Sequence, residues 1–145
     1  MFKKILFVCV GNVCRSPMAA SILSARLADK TFTISSAGVG ALVGKPIDPM
    51  AAEILEKHGF QADEHRATQL QRAHVQDADL ILVMEKSLID VVVRIAPEAR
   101  GKIFTLGRWQ DDRAIPDPYK QSRTVFEHTF VLIQEALTSW IKHLK

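Results

Sequence analysis

The chain has 145 residues, of which 48% are hydrophobic and 24% charged, and it carries a formal net charge of +3. That is an ordinary globular composition of single-domain size, so one domain spanning 1–145 is expected. It excludes a disordered, collagen-like or low-complexity chain. The basic residues are scattered and no basic groove with interleaved aromatics is visible, so nucleic acid is not an expected partner.

No apolar run approaches the roughly 18–20 residues of a membrane span. The opening Met-Phe-Lys-Lys-Ile-Leu-Phe-Val resembles a signal peptide only briefly. It runs into Gly11-Asn12 and Arg15 without a small-residue cleavage site, so it reads as a buried strand in a cytoplasmic protein with no membrane partner. The two cysteines, Cys9 and Cys14, are too few for a disulfide framework or, alone, a structural zinc site. Their closeness marks a chemical site.

Ile5 to Val8 is a continuous apolar run, as in a strand buried on both faces. Ser16-Pro17 predicts an N-cap with proline at the first helical position. Ile22, Leu23 and Leu27 give that helix its apolar face. Thr31 to Ser36 alternates as a second strand, ending at Gly38. Asp48-Pro49 repeats the cap signal for a helix that Gly59 stops. Thr68 with Gln71 fits a capping box for a short helix.

Leu80 to Met84 predicts a third strand and Ser87 to Ala96 a helix. Ile103 to Leu106 predicts a fourth strand. A polar loop from Gly107 to Arg123 holds Pro116-Asp117-Pro118-Tyr119. The final helix keeps the 3.6-residue period through Phe126, Phe130, Ile133, Leu137 and Leu144. Strands alternating with helices imply an α/β fold: a four-stranded parallel sheet with helices on both faces, the flavodoxin-like, doubly wound, three-layer arrangement. Ligands bind such sheets beyond the carboxyl ends of the strands. Cys9, the loop after Ser36, Met84-Glu85 and Asp117 should therefore gather at one end.

The segment Cys9-Val10-Gly11-Asn12-Val13-Cys14-Arg15-Ser16 is a strand end, a short loop and a helix start. Successive backbone N–H groups and the helix dipole make such a loop an anion cradle. Amides that bind an oxyanion also favour a thiolate over a thiol at Cys9. The planar fork of Arg15 matches two phosphoryl oxygens, and it is expected at the rim. Ser16 can donate to the Cys9 sulfur. The spacing Cys-x5-Arg alone is a weak motif; the strand before it and the Ser-Pro helix start after it make it specific.

With these residues in place, the chain resembles the low-molecular-weight protein-tyrosine phosphatases, and among them the bacterial members encoded with capsule or exopolysaccharide systems. Three pieces carry the resemblance: Val8 to Pro17, Ser36-Ala37-Gly38-Val39-Gly40, and Ile115-Pro116-Asp117-Pro118-Tyr119. It implies hydrolysis of phosphotyrosine without metal or cofactor. Cys9 would form a phosphocysteine, Arg15 would stabilise the phosphoryl oxygens, and Asp117 would protonate the leaving phenolate, with Asp111 and Asp112 as rival acids.

By the same resemblance, Val10, Gly11, Asn12, Val13, Cys14 and Ser16 bind the substrate, and Tyr119 and Leu42 wall the aromatic ring. Ser36 and His65 support the loop with Asn12. Cys14 can pair with Cys9 under oxidation. The implied partner is a phosphotyrosine-containing protein, in particular an autophosphorylating bacterial tyrosine kinase that controls exopolysaccharide or capsule production. Phosphate and other oxyanions should compete, and the protein should act as a monomer. The family often has two adjacent tyrosines where this chain has Tyr119-Lys120, and an aromatic near Leu42. Two other readings are open. An arsenate reductase of this fold would want further cysteines after Cys14. A non-enzymatic phosphate-sensing regulator would not need all of Cys9, Arg15 and Asp117.

Overall fold

The computed structural model describes residues 2–28, 31–62 and 64–144. Four parallel strands form one sheet: β1 (Lys4–Cys9), β2 (Thr33–Gly38), β3 (Leu80–Val83) and β4 (Ile103–Thr105), in the order β2-β1-β3-β4. The central strands are the apolar ones. β1 is buried from Ile5 to Cys9, and every residue of β3 is buried. β2 lies at an edge and buries only Ala37 and Gly38 fully.

Among the described residues, five α-helices accompany the sheet: α1 (Arg15–Arg26), α2 (Pro49–Lys57), α3 (Arg72–Asp77), α4 (Ser87–Ile95) and α5 (Arg123–Leu144). Chain order places β2 and β3 on opposite sides of β1. Right-handed crossovers in opposite directions put their helices on opposite faces. Accordingly α1, α2 and α5 pack on one another, while α3 contacts β1 and α4 contacts β4. The buried side chains of α5 include Phe126, Phe130, Ile133, Leu137, Trp140 and Leu144, the expected stripe. Trp140 Nε1 donates to the Leu106 carbonyl at 2.9 Å, so its one polar atom is satisfied inside the core. Among the described residues, no helix is long and apolar enough to cross a membrane.

Two capping expectations need correction. α1 begins at Arg15 with Cys14 before it, and no side chain caps it. Ser16 lies inside the first turn and is fully buried; its hydroxyl serves a tertiary contact instead. The short helix α3 begins after Gln71, whose N–H donates to His74 Nδ1 at 2.9 Å, so Thr68 is not its cap. The Asp48-Pro49 signal does operate as a cap: Asp48 Oδ1 accepts from Met50 N at 2.8 Å.

Strand order reverses between β1 and β3, and the crevice at that switch is where a doubly wound sheet binds its ligand. The loop after β1 and the residues Met84-Glu85 after β3 flank it.

Candidate active site

The Cys9–Arg15 segment lines a cavity of about 190 Å³, completed by Gly40, Leu42, Asp117 and Tyr119. Carbonyls decide which way this loop faces. Cys9 O accepts from Val39 N at 3.0 Å, Val10 O from Gly40 N at 3.0 Å, and Gly11 O from Leu42 N at 3.0 Å. Asn12 O meets His65 Nε2 at 2.6 Å, Val13 O accepts from Asp48 N at 2.8 Å, and Cys14 O from Met18 N at 3.0 Å. With the carbonyls turned outward, the N–H edge of the loop faces the cavity. That is the backbone geometry of an anion nest.

Asn12 makes the turn possible. Its φ is 59°, a left-handed conformation that asparagine tolerates better than most residues. Its side chain is fully buried and fully used: Nδ2 donates to Ser16 Oγ at 2.7 Å and Ser36 Oγ at 3.0 Å, and Oδ1 accepts from Thr68 N at 2.8 Å. Its N–H points at the Cys9 sulfur, 3.3 Å away, and the Ser16 hydroxyl stands 2.8 Å from the same sulfur.

Arg15 is 3% exposed. It is pinned in the wall rather than free at the rim. Nη1 donates to the Ile115 carbonyl at 2.9 Å, Nη2 lies 3.8 Å from Asp117 Oδ2, and Glu85 Oε1 is 4.0 Å from Nη1. The acid loop is anchored by Ile115 N to the Met84 carbonyl at 2.9 Å. Asp117 is oriented by its own turn: Oδ1 accepts from Tyr119 N at 3.1 Å. Asp111 and Asp112 do not line the cavity, and Asp112 instead accepts from Thr105 Oγ1 at 2.7 Å.

Cys14 also lines the cavity but is buried as a side chain. Burial, chiefly, and the Asp48 and Asp117 carboxylates push its thiol well above the ordinary range, against a smaller opposing effect of Arg15. Cys14 is therefore a neutral thiol at physiological pH.

The cavity gathers Cys9, Val10, Gly11, Asn12, Val13, Cys14, Arg15, Leu42, Asp117 and Tyr119. Ser36 and His65 stand behind the loop as partners of Asn12. Ser16 does not reach the cavity; it touches the sulfur from beneath. Four contributors have roles that the sequence alone does not assign, although Gly38, Gly40 and Ile115 lie in the motifs quoted above. Gly38 has no room for a side chain, since a Cβ there would collide with the Val10 carbonyl oxygen. Gly40 lines the cavity, the Thr68 amide fixes Asn12, and the Ile115 carbonyl holds Arg15.

Known proteins match this chain along its length. The family model described as low molecular weight phosphotyrosine protein phosphatase matches residues 4–145. The low molecular weight protein-tyrosine-phosphatase Wzb of Salmonella typhimurium is 45% identical over 144 residues, which is 99% of this chain and 95% of that protein. Vibrio vulnificus Wzb in complex with benzylphosphonate superposes with a TM-score of 0.94 at 44% identity, covering 99% of each chain. The tyrosine phosphatase Wzb from Escherichia coli in complex with sulphate also superposes with a TM-score of 0.94, at 43% identity, covering 100% of each chain. With a full-length family match and two solved phosphatases of the same fold, the chain is an enzyme of the low molecular weight phosphotyrosine protein phosphatase family.

Proposed function

We propose that this enzyme hydrolyses phosphotyrosine in proteins through a phosphocysteine intermediate. The observation that carries the reading is the convergence on one cavity of the Cys9 sulfur, the loop N–H edge, the Arg15 guanidinium and the Asp117 carboxyl. In the first step the Cys9 thiolate forms a bond to phosphorus as the bond from phosphorus to the phenolic oxygen breaks. Asp117 gives its proton to that oxygen, because phenolate leaves poorly unprotonated near neutral pH. In the second step a water oxygen bonds to phosphorus, Asp117 takes the water proton, and the S–P bond breaks. Inorganic phosphate leaves and the thiolate returns.

Charge in a loose transition state lies on the equatorial phosphoryl oxygens. The loop amides and the Arg15 fork are the donors for them. An entering phosphate dianion would draw the Arg15 Nη2 group away from its 3.8 Å ion pair with Asp117, which frees the carboxyl to act on the leaving group. Ser36, His65 and Asn12 act as the loop's support, and Leu42 and Tyr119 as walls for the ring. The benzylphosphonate and sulphate held by the two related phosphatases are anions of the type such a cradle accepts, and they support oxyanions as competitive ligands here. The proposed physiological substrate is a bacterial tyrosine kinase that controls exopolysaccharide or capsule production. The arsenate-reductase reading is disfavoured because both cysteines of the chain lie within the loop.

The test is rapid acid quenching of the enzyme during turnover of a phosphorus-labelled aryl phosphate, with Cys9→Ser in parallel. Label should be recovered on Cys9 in the wild type, and the Cys9→Ser protein should bind phosphate yet fail to turn over. Absence of bound label under multiple-turnover conditions, or turnover by Cys9→Ser above background, overturns the mechanism.

A further inference from the structure

The mouth of the cavity is more apolar than folding requires. Of the six large hydrophobic side chains exposed among the described residues, four are at or beside it: Val10, Leu42, Val43 and Tyr119. Exposed apolar groups clustered in this way mark a contact surface.

Val43 is the informative member. It is 70% exposed and occupies the second position of a turn closed by Lys45 N donating to Leu42 O at 3.0 Å. Gly44 follows at φ +85°, which is the third position of a type II turn. Proline suits the corner that Val43 holds, and a β-branched aliphatic contributes nothing to the turn itself. The turn is also fixed from below, by Gly44 N to Ala67 O at 2.9 Å and Ala67 N to Lys45 O at 2.8 Å. Val43 is thus an apolar side chain held out to solvent on a rigid support.

Next to it runs an open groove of about 570 Å³, walled by Val43, Ala67 and Ala73 and by the uncharged polar residues Thr68, Gln69 and Gln71, with His74. Leu42 lines the catalytic cavity and Val43 lines the groove, so the pair forms the ridge between them. Gln69 joins the two physically: Oε1 accepts from Ala41 N and Nε2 donates to Val39 O, each at 2.9 Å. No Asp, Glu, Lys or Arg lines the groove. The opposite rim is different, with Asp117 and with the Lys120 ammonium 5.5 Å from the centre of the Tyr119 ring.

We infer that this groove is a subsite for the polypeptide on one side of the phosphotyrosine, and that Val43 selects an uncharged apolar side chain near the phosphorylated residue. The inference rests on the phosphatase reading and extends it to the substrate's sequence. A tyrosine whose phosphate reaches the Cys9 loop leaves its main chain at the rim, and the chain must leave the rim somewhere. Over Leu42–Val43 it meets a neutral groove. There an aliphatic side chain gains by leaving water against Val43, and a charged one loses hydration against a lining that holds no Asp, Glu, Lys or Arg.

Phosphotyrosyl peptides that differ at one flanking position, carrying Leu, Asp or Lys within three residues on either side, test this beside p-nitrophenyl phosphate. The wild type should prefer Leu at one position by about five- to tenfold in kcat/KM. Val43→Ser should erase that preference through KM and leave p-nitrophenyl phosphate kinetics unchanged. Ala73→Glu, on the far wall, should weaken the peptides and spare the small ester. The subsite is overturned if no position prefers Leu. It is equally overturned if Val43→Ser keeps the preference, or slows the small ester as much as the peptides. A wild type that hydrolyses neither kind of substrate sinks the phosphatase reading and the subsite with it; hydrolysis of the small ester without a Leu preference removes the subsite alone.

Discussion

The Ser16 hydroxyl is 2.8 Å from the Cys9 sulfur, and the same oxygen accepts from Asn12 Nδ2 at 2.7 Å. The amide orientation of Asn12 is fixed independently, because the Thr68 N–H can only donate and it meets Oδ1. When the sulfur is ionised, the Ser16 proton therefore points at it. A hydrogen bond to a charged group contributes about 1.5–3 kcal/mol. Ser16→Ala should accordingly slow turnover by about 10- to 100-fold with little change in KM. Steady-state kinetics on an aryl phosphate, with the rate of iodoacetate alkylation of Cys9 falling in parallel, provide the check. An unchanged alkylation rate would remove the hydroxyl from the mechanism.

Asp117→Asn keeps the turn that binds Tyr119 N but cannot deliver a proton. Phenyl phosphate hydrolysis should drop by roughly 100-fold or more, in the range of general acid catalysis. Esters with acidic phenols need less help and should lose much less. A plot of rate against leaving-group acidity should steepen in the variant; parallel plots would argue against proton transfer from this residue.

Asn12 carries both a left-handed backbone and three side-chain hydrogen bonds. Asn12→Ala forfeits the bonds and keeps the strain. Asn12→Gly forfeits the bonds and relieves the strain. The glycine variant should be about 1 kcal/mol more stable than the alanine variant by denaturant unfolding, while both lose most activity. Equal stabilities would mean that backbone strain at position 12 contributes nothing.

Cys14, raised by burial first and by Asp48 and Asp117 next, keeps its proton in the fold. Iodoacetamide near neutral pH should modify Cys9 alone, read by peptide mass mapping. The linked effect on stability has a definite sign. A thiol that holds its proton more tightly when folded contributes fully below its unfolded pKa of about 8.5. The contribution fades as pH rises beyond that, when the unfolded chain ionises first. Wild-type stability should therefore fall relative to Cys14→Val above about pH 8.5, and a constant difference would contradict the assignment.

Asp79 gives the opposite sign. Its Oδ2 accepts from the backbone N–H groups of Lys4 and Lys3, each at 2.9 Å, and these bonds hold its carboxyl below the ordinary value. The stabilisation is present above the unfolded pKa of about 3.9 and is lost as pH falls through the lower folded value. Asp79→Ala should unfold more easily than wild type at neutral pH. The gap should close toward pH 3, and a pH-independent gap would rule the linkage out.

Much of this architecture is legible along the chain because its signals are local. Uninterrupted apolar runs mark β1 and β3, the two strands covered on both faces. Asp48-Pro49 announces α2 because a cap and its proline are neighbours. The expectation that Cys9 and Asp117 share an end follows from parallel strands alone, and both line the same cavity. What escapes is long-range. Ser16 reads both as a cap and as a donor to the Cys9 sulfur; the contact with sulfur forms, and the cap does not, because α1 begins one residue earlier, at Arg15, with Ser16 inside its first turn. The roles of Thr68 and Ile115 reside in a backbone N–H and a backbone carbonyl, groups that every residue of their type carries, so no letter of the sequence betrays them. The cap of α3 pairs Gln71 with His74, outside the familiar Ser/Thr-x-x-Glu/Gln pattern.

Gly38 pairs with Cys9 in the sheet register, and a single methyl at its Cα would collide with the Val10 carbonyl. The chemistry-bearing loop is thus moulded against a neighbour that admits no variation, while Val43 stands one residue beyond the Leu42 N to Gly11 O hydrogen bond, on a bend whose exposed corner lies outside the catalytic cavity. Evolution, or an engineer, is free to redecorate position 43 and acquire a new clientele of phosphoproteins without retuning the catalyst.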